Sequence, residues 1–367
     1  MSRGTLLGAL NFRISFLSRE EAFMVIHPLV FKVHNLLKAA LEPEQHYLLA
    51  VSGGSDSMAL LAACWQLQSE NWGSFSVCHV EHGLRGEESL RDMALVQRFC
   101  AEHQLPCYVR QVNVRELAAK EHLSIEAAAR RLRHGALEQT MQQLGAARVV
   151  FAHNLDDQAE TVLLRLLRGT SLTGLCGIRA ESDRVLHPLL GLRHRELAQF
   201  CELVGVEYCH DSTNDDLEYT RNRVRHELMP YLEQHFNSNI KETLARLAQQ
   251  LVPEEELLEK QAFAAYVEAR LKTSVTAPNC TGNTALSPGE KVERLAFSAS
   301  TLMQQPPAIR RRVLREAYYS IAWAELDYER TLALEQLLVR RTGGKLVQLP
   351  GGVIAQYKNK QLILEKQ

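Results

Sequence analysis

The sequence is short of several things, and each shortage removes a class of protein. Its eight cysteines (64, 78, 100, 107, 176, 201, 209 and 280) include no Cys-x-x-Cys pair. That argues against a zinc knuckle, an iron-sulfur cluster or a disulfide framework, and fits a reducing cytoplasm. No apolar stretch approaches the roughly 20 residues that cross a bilayer, so no membrane partner is expected. Lysine plus arginine (42) nearly balance aspartate plus glutamate (43), giving a formal charge of -1. No global basic field therefore advertises a nucleic acid, and only a local patch could serve one. No internal repeat is visible. What is present suffices for folding: 367 residues, 46% of them hydrophobic, predict a normal core and two domains.

The first 23 residues carry Arg3, Arg13 and Arg19 before the first acid, Glu20. Their apolar run, Leu6-Leu7-Gly8-Ala9-Leu10, is too short for a secretory signal. The expectation is a disordered extension over 1–23, with Met24 as an alternative start.

Tyr47-Leu48-Leu49-Ala50-Val51 followed by Ser52-Gly53-Gly54-Ser55-Asp56-Ser57 and then Met58-Ala59-Leu60-Leu61-Ala62 reads as a buried parallel strand, a tight loop and a helix. Gly53 and Gly54 leave no side chain to fend off a ligand, and Ser52, Ser55 and Ser57 add hydroxyls. With the positive end of the helix behind them, they make an anion cradle. A Walker A loop would need a lysine here, and there is none. Asp56 stands instead, a carboxylate that makes best sense holding a magnesium ion on phosphates. An ordinary serine-glycine turn is the bland alternative.

Strands are further predicted at Phe75–Val80, Cys107–Val114, Arg148–Ala152, Val185–Leu190 and Val206–Cys209, alternating with helices that include Glu87–His103, Ser124–Leu144 and Arg193–Val204. That alternation implies a doubly wound parallel sheet, an α/β fold whose ligands bind beyond the carboxyl ends of the strands. Ser52, His79 and His153 mark three such ends. After the fourth strand, Asp157 and Glu160 are spaced by three and share a helix face. They are dipole-satisfying caps, or they hold magnesium or a substrate's ammonium group; the spacing leaves both open. Arg221, Arg223 and Arg225, on alternate positions, are a solvated face or, close after the acidic loop Asp211–Asp216, meet phosphates or the acids of the site, the reading preferred here. Beyond Met229-Pro230 the pattern changes to helices at Ile240–Arg270 and Pro307–Arg341 around a polar stretch, Lys272–Lys291. Arg310, Arg311, Arg312 and Arg315, interleaved with Tyr318 and Tyr319, read as a solvated face or as an RNA grip. The tail, Lys345–Leu349, Val353–Tyr357 and Gln361–Leu364, reads as a β-meander. The expected division is 24–230 for the α/β domain, 231–342 for a helical domain and 343–367 for the meander.

Four stretches, Ser52–Ser57, His79-Val80-Glu81-His82-Gly83-Leu84-Arg85, Asp156-Asp157-Gln158-Ala159-Glu160-Thr161 and Arg221-Asn222-Arg223-Val224-Arg225, resemble the tRNA(Ile)-lysidine synthetase family. These enzymes are N-type ATP pyrophosphatases of the PP-loop superfamily. The resemblance covers roughly Tyr47 to Pro230. It implies adenylation of cytidine 34 in the CAU anticodon of tRNA(Ile) by ATP, then attack by free L-lysine. It further implies Ser52–Ser57, His79 and His153 on the nucleotide, Asp56 and Asp157 on Mg2+, and Asp157 and Glu160 on lysine. His82, Arg85, Arg130, Arg131, Arg221, Arg223 and Arg225 are candidates for tRNA, and a homodimer stays open. The sequence departs from the family in Asn154, where a second histidine is usual, and in His187-Pro188-Leu189, where Arg-Pro-Leu is common. Many members also carry a further carboxyl-terminal RNA-binding module not seen here, so a differently built grip on the acceptor arm is expected. A thiolase using an iron-sulfur cluster would need paired cysteines. A small-molecule synthetase would not need the basic helical appendage. A non-catalytic module would not need Asp56, Asp157 and Glu160.

Overall fold

The computed structural model describes residues 27–84, 86–209, 220–271, 292–341 and 344–367. The amino-terminal extension, Arg85, the acidic loop Asp211–Asp216 and the polar stretch Lys272–Lys291 lie outside the described residues. So do residues 342–343, where the expected boundary before the meander falls.

Residues 27–250 are organised by one strand, β1 (His46–Ala50), whose neighbours on both edges run parallel to it. The others are β2 (Ser74–Glu81), β3 (Cys107–Gln111), β4 (Arg148–Val150) and β5 (Val185–Leu186), in the order β3-β2-β1-β4-β5. Alternate side chains point to opposite faces, so each face has its own core. Leu49, Val51, Phe75, Val77 and Val150 pack with Met58, Leu60 and Leu61 of α1 (Ser55–Ser69) and with Leu197 and Phe200. Leu48, Cys78, Val149 and Phe151 meet Leu137 and Met141 on the other side. Helices on both faces make the sheet doubly wound, as expected. The chain reverses its winding direction between β1 and β4, so the ends of these two strands form the crevice in which such folds bind ligands.

The helix Ile125–Leu144 starts where Ser124 accepts the Ala127 N–H at 3.2 Å and stops at Gly145, whose φ is +62°. Three expectations fail for local reasons. β3 ends at Gln111, and Asn113 then caps a helix, Val114–Glu121, where a longer strand was expected. β5 stops before Pro188, which cannot continue a strand ladder. No strand forms at Val206–Cys209.

The molecule divides into two compact units between Gln250 and Leu251, within the helix Ile240–Ala269. This is later than Pro230, because Leu232, Ile240 and Leu244 pack against Ala159, Leu163 and Leu164 of the first unit. Pro230 itself follows directly on the π-helix Val224–Leu228, as the second residue of the helix Met229–His235.

The second unit holds an antiparallel sheet in the order β6-β9-β8-β7 (Arg294–Ser298, Gln361–Lys366, Val353–Lys358, Leu346–Leu349). The meander is there, and Arg294–Ser298 extends it across β9. The long helix expected at Pro307–Arg341 is two, Pro307–Ala322 and Tyr328–Arg340, parted at Trp323 with φ +53°. Three arginines of the cluster are engaged by acids of the second unit. Arg312 donates to both oxygens of fully buried Glu255 at 2.6 and 2.7 Å, and Arg310 and Arg311 both donate to Glu335.

Candidate active site at the ends of two neighbouring strands

The glycine-serine loop leaves β1 and is closed by its own side chains. Ser57 Oγ accepts the N–H groups of Ser52 and Gly53 at 3.2 and 3.1 Å and donates to the Gly54 carbonyl at 2.9 Å. Gly53 has φ +100°, and a Cβ there would lie 3.2 Å from Asp92 Cβ, so glycine is required twice over. Gly54 begins α1 without any side-chain cap. The helix therefore presents its first N–H groups, and the positive end of its dipole, to whatever occupies the crevice. His79 is buried, its Nδ1 2.9 Å from the Val51 carbonyl, and so holds the end of β1.

The second loop, after β4, opens α2 (Leu155–Leu167) with a capping box. Asn154 Oδ1 accepts the Asp157 N–H at 3.0 Å, and Asp157 Oδ2 accepts the Asn154 N–H at 3.1 Å. The two loops are joined here: Asn154 Nδ2 donates to Asp56 Oδ2 at 3.1 Å. His194 Nδ1 sits 2.8 Å from the other Asp56 oxygen, and its backbone N–H donates to Asp156, which also meets Lys241. Burial pushes the Asp56 carboxyl above the usual aspartate range, against the pull of His194 and with a further push from Asp157. The hydrogen bond to Asp56 raises His194 in turn.

One helical turn further, Glu160 is almost fully buried and shares two guanidiniums with Asp157. Arg221 donates to Glu160 at 3.0 Å and Asp157 at 2.7 Å, and Arg225 reaches Glu160 at 2.6 and 3.0 Å. The two arginines stand one turn apart where an α-helical turn passes into a π-helix, Val224–Leu228, a rare element that occurs mostly at functional sites. The cluster is electrically balanced, two carboxylates against two guanidiniums.

Beside it lies a stack of rings. Phe151 is 5.6 Å from both His153 and His187, and 5.9 Å from His134. Burial, reinforced by His187 and by Arg133, Arg221 and Arg130, lowers His153 to about 2, so its ring is neutral. Burial likewise lowers His187. Among the described residues the His153 Nδ1 and the Arg133 Nε are buried without a hydrogen-bond partner, an arrangement that a bound polar ligand would relieve.

A family model described as a PP-loop domain matches residues 27–232, more than half of the chain and the whole of this crevice. The chain belongs to the PP-loop family. A second model, the TilS substrate binding domain, matches residues 297–360 of the second unit. The tRNA(Ile)-lysidine synthase of Caldanaerobacter subterraneus subsp. tengcongensis is 30% identical over 328 residues, which cover 89% of this chain and 66% of that protein. That of Thermus thermophilus is 36% identical over 324 residues, covering 88% and 57%. These relatives carry the family recognised in the motifs, and the chain spans just under two-thirds of their length or less. The U34-tRNA thiolase NcsA from Methanococcus maripaludis, solved with its 4Fe-4S cluster, superposes with a TM-score of 0.50 at 16% identity, over 64% of this chain and 80% of that one. That likeness is one of fold.

The PP-loop and the start of α2 thus bring Asp56, Asp157 and Glu160 to one crevice. His82 is half-buried just past β2. Arg130 and Arg223 are exposed, and Arg131 is exposed and paired with Glu121. Arg221 and Arg225 turn inward to the acids. Gln158 and Arg165 brace the following loop: Gln158 bonds both backbone groups of Ile178, and Arg165 donates to the carbonyls of Gly174 and Gly177. His194, Asn154 and Arg133 were not singled out as functional from the sequence. Asn154 was visible only as a departure from a motif, and His194 carried no signal at all.

Among the described residues no three His, Cys, Asp or Glu side chains converge on a metal-sized space. Two carboxylates beside a phosphate cradle nevertheless fit magnesium, a hard cation that takes one or two carboxylates and completes its shell with phosphate oxygens and water.

Proposed function

We propose that this chain carries the catalytic portion of a tRNA(Ile)-lysidine synthetase, working in the cytoplasm on ATP, free L-lysine and tRNA(Ile) with a CAU anticodon. The observation that carries the reading is the meeting of Asp56 and Asp157 through Asn154, beside an uncapped helix N-terminus at the point where the sheet reverses its winding. The family membership and the named relatives support it.

Cytosine O2 is a weak nucleophile and a poor leaving group. Its attack on the α-phosphorus of ATP forms an O–P bond, breaks the bond to the β-phosphate oxygen and releases pyrophosphate. The lysine amine then attacks C2, loses a proton and expels AMP with the former O2. Negative charge grows on the departing pyrophosphate, where the helix N-terminus behind Gly54 and the hydroxyl of Ser52 offer donors already in place. Gly53 and Gly54 admit the phosphates, and Ser55 and Ser57 keep the loop and helix start in shape. Asp56 and Asp157 would hold magnesium, which when bound offsets the phosphate charge. Asp157 and Glu160 orient lysine, whose ammonium takes up contacts now made by Arg221 and Arg225. The neutral His153 and the ring stack offer the flipped base a surface, and the anticodon loop makes flipping inexpensive. Arg85, Arg130, Arg131 and Arg223 are assigned to tRNA phosphates, and His82 to the edge of the nucleotide or tRNA.

The test is incorporation of radiolabelled lysine into tRNA(Ile) with a CAU anticodon. Incorporation that depends on ATP and is lost in Asp157→Asn and Glu160→Gln supports the reading. No incorporation by a folded wild-type protein supplied with all three substrates overturns it.

A further inference from the structure

Asn154 is 2% exposed and uses both ends of its amide. The oxygen caps α2 through the Asp157 N–H, the nitrogen reaches Asp56 Oδ2, and the backbone N–H reaches Asp157 Oδ2. It is thus bonded at once to the two acids that come from different strand ends. His194 holds the remaining Asp56 oxygen, so the Asp56 carboxylate is fixed from two sides. Capping alone does not call for this residue. Serine, threonine or aspartate caps a helix equally well. None of them has an acceptor for the cap and a diverging N–H for a second carboxylate, and aspartate would add a third negative charge.

We propose that Asn154 is a positioning residue that sets Asp56 and Asp157 as one oxygen-donor pair for the divalent cation of the nucleotide. The inference rests on the ATP-using reading of the crevice and adds to it the residue that aligns the cation's ligands. Residues that orient metal ligands typically contribute roughly 10–100-fold to metal affinity. A serine at this position keeps the cap and loses only the bridge, so it separates the two roles.

The experiment uses the full chain without RNA or lysine. ATP binding is measured by calorimetry across a magnesium titration and again in excess EDTA, and thermal unfolding is recorded in parallel. For Asn154→Ser, which keeps a capping hydroxyl, unfolding should stay cooperative with a melting temperature no more than about 10 °C below wild type, and binding in EDTA should be unchanged. The magnesium concentration for half-maximal binding should rise at least about tenfold. Asn154→His, which restores a ring N–H, should recover part of the loss. An Asn154→Ser protein with the wild-type magnesium requirement overturns the proposal and leaves the ATP-using reading intact. So does an equal loss in EDTA, which would mean general damage to the loop. A wild-type protein that binds no ATP at any magnesium concentration overturns both.

Discussion

Replacing Gly53 and Gly54 one at a time by alanine should give opposite phenotypes although the residues are adjacent. At Gly53 the backbone has φ +100°, a region that costs a residue with a side chain roughly 1–3 kcal/mol. The new methyl would also stand 3.2 Å from Asp92 Cβ and 3.4 Å from Asp92 backbone atoms, which cannot rotate away. Overpacking of that kind costs about 1–3 kcal/mol more. Loss of glycine's freedom in the unfolded chain returns about 0.4–1 kcal/mol. The net expectation for Gly53→Ala is a loss of about 3 kcal/mol. At Gly54 φ is -74° and the nearest atom to an added Cβ is Ser52 Oγ at 3.9 Å, so stability should change by no more than about 1 kcal/mol. The added methyl instead enters the mouth of the cradle, and ATP affinity should fall at least about tenfold, or about 1.4 kcal/mol. The assay is urea unfolding followed through Trp65 and Trp72 in a Trp323→Phe background, which silences the second unit, with ATP titration of the same proteins. Equal stability for the two variants, or wild-type ATP affinity in Gly54→Ala, would refute the reasoning.

Glu255→Ala should destabilise the second unit by about 3–5 kcal/mol, read through Trp323, because the largely buried Arg312 would lose both oxygens of its partner; a change under about 1 kcal/mol would contradict this. His153, lowered to about 2, resists protonation in the folded state while the unfolded ring titrates near its ordinary 6.5. Its contribution is complete above pH 6.5 and is lost as pH falls toward 2. From about pH 7.5 to about pH 5 the wild type should therefore lose about 2 kcal/mol more than His153→Phe, which keeps the ring stack. Parallel pH curves for the two proteins would show that His153 is not held neutral.

What could be read before folding was whatever depends on near neighbours in the chain. The buried run Tyr47–Val51, the glycine turn, the Ser124 cap and the three-residue spacing of Asp157 and Glu160 are all local patterns, and each appears in the structure. Arg294–Ser298 was not visible because a five-residue strand with an arginine at one end and a serine at the other has no pattern of its own; it exists by pairing with Gln361–Lys366. The arginines at 310–312 looked available for RNA because their acids, Glu255 and Glu335, come from helices remote in sequence. The same applies to the crevice. Asn154 meets Asp56 across 98 positions and His194 meets it across 138, and no periodicity reports contacts of that kind. Arg221, Arg223 and Arg225 were legible only as three arginines suited to phosphates or acids, and Asp157 and Glu160 as a pair on one helix face; that Arg221 and Arg225, and not Arg223, meet those acids was not legible.

The proposed reaction requires the lysine-free glycine loop to hold the two terminal phosphates of ATP while AMP is transferred. The most direct test is to supply the protein with tRNA(Ile), lysine and ATP labelled separately in the α- and γ-phosphates, and to identify the products. AMP and pyrophosphate in amounts equal to the lysine incorporated are expected; ADP and orthophosphate would contradict the claim.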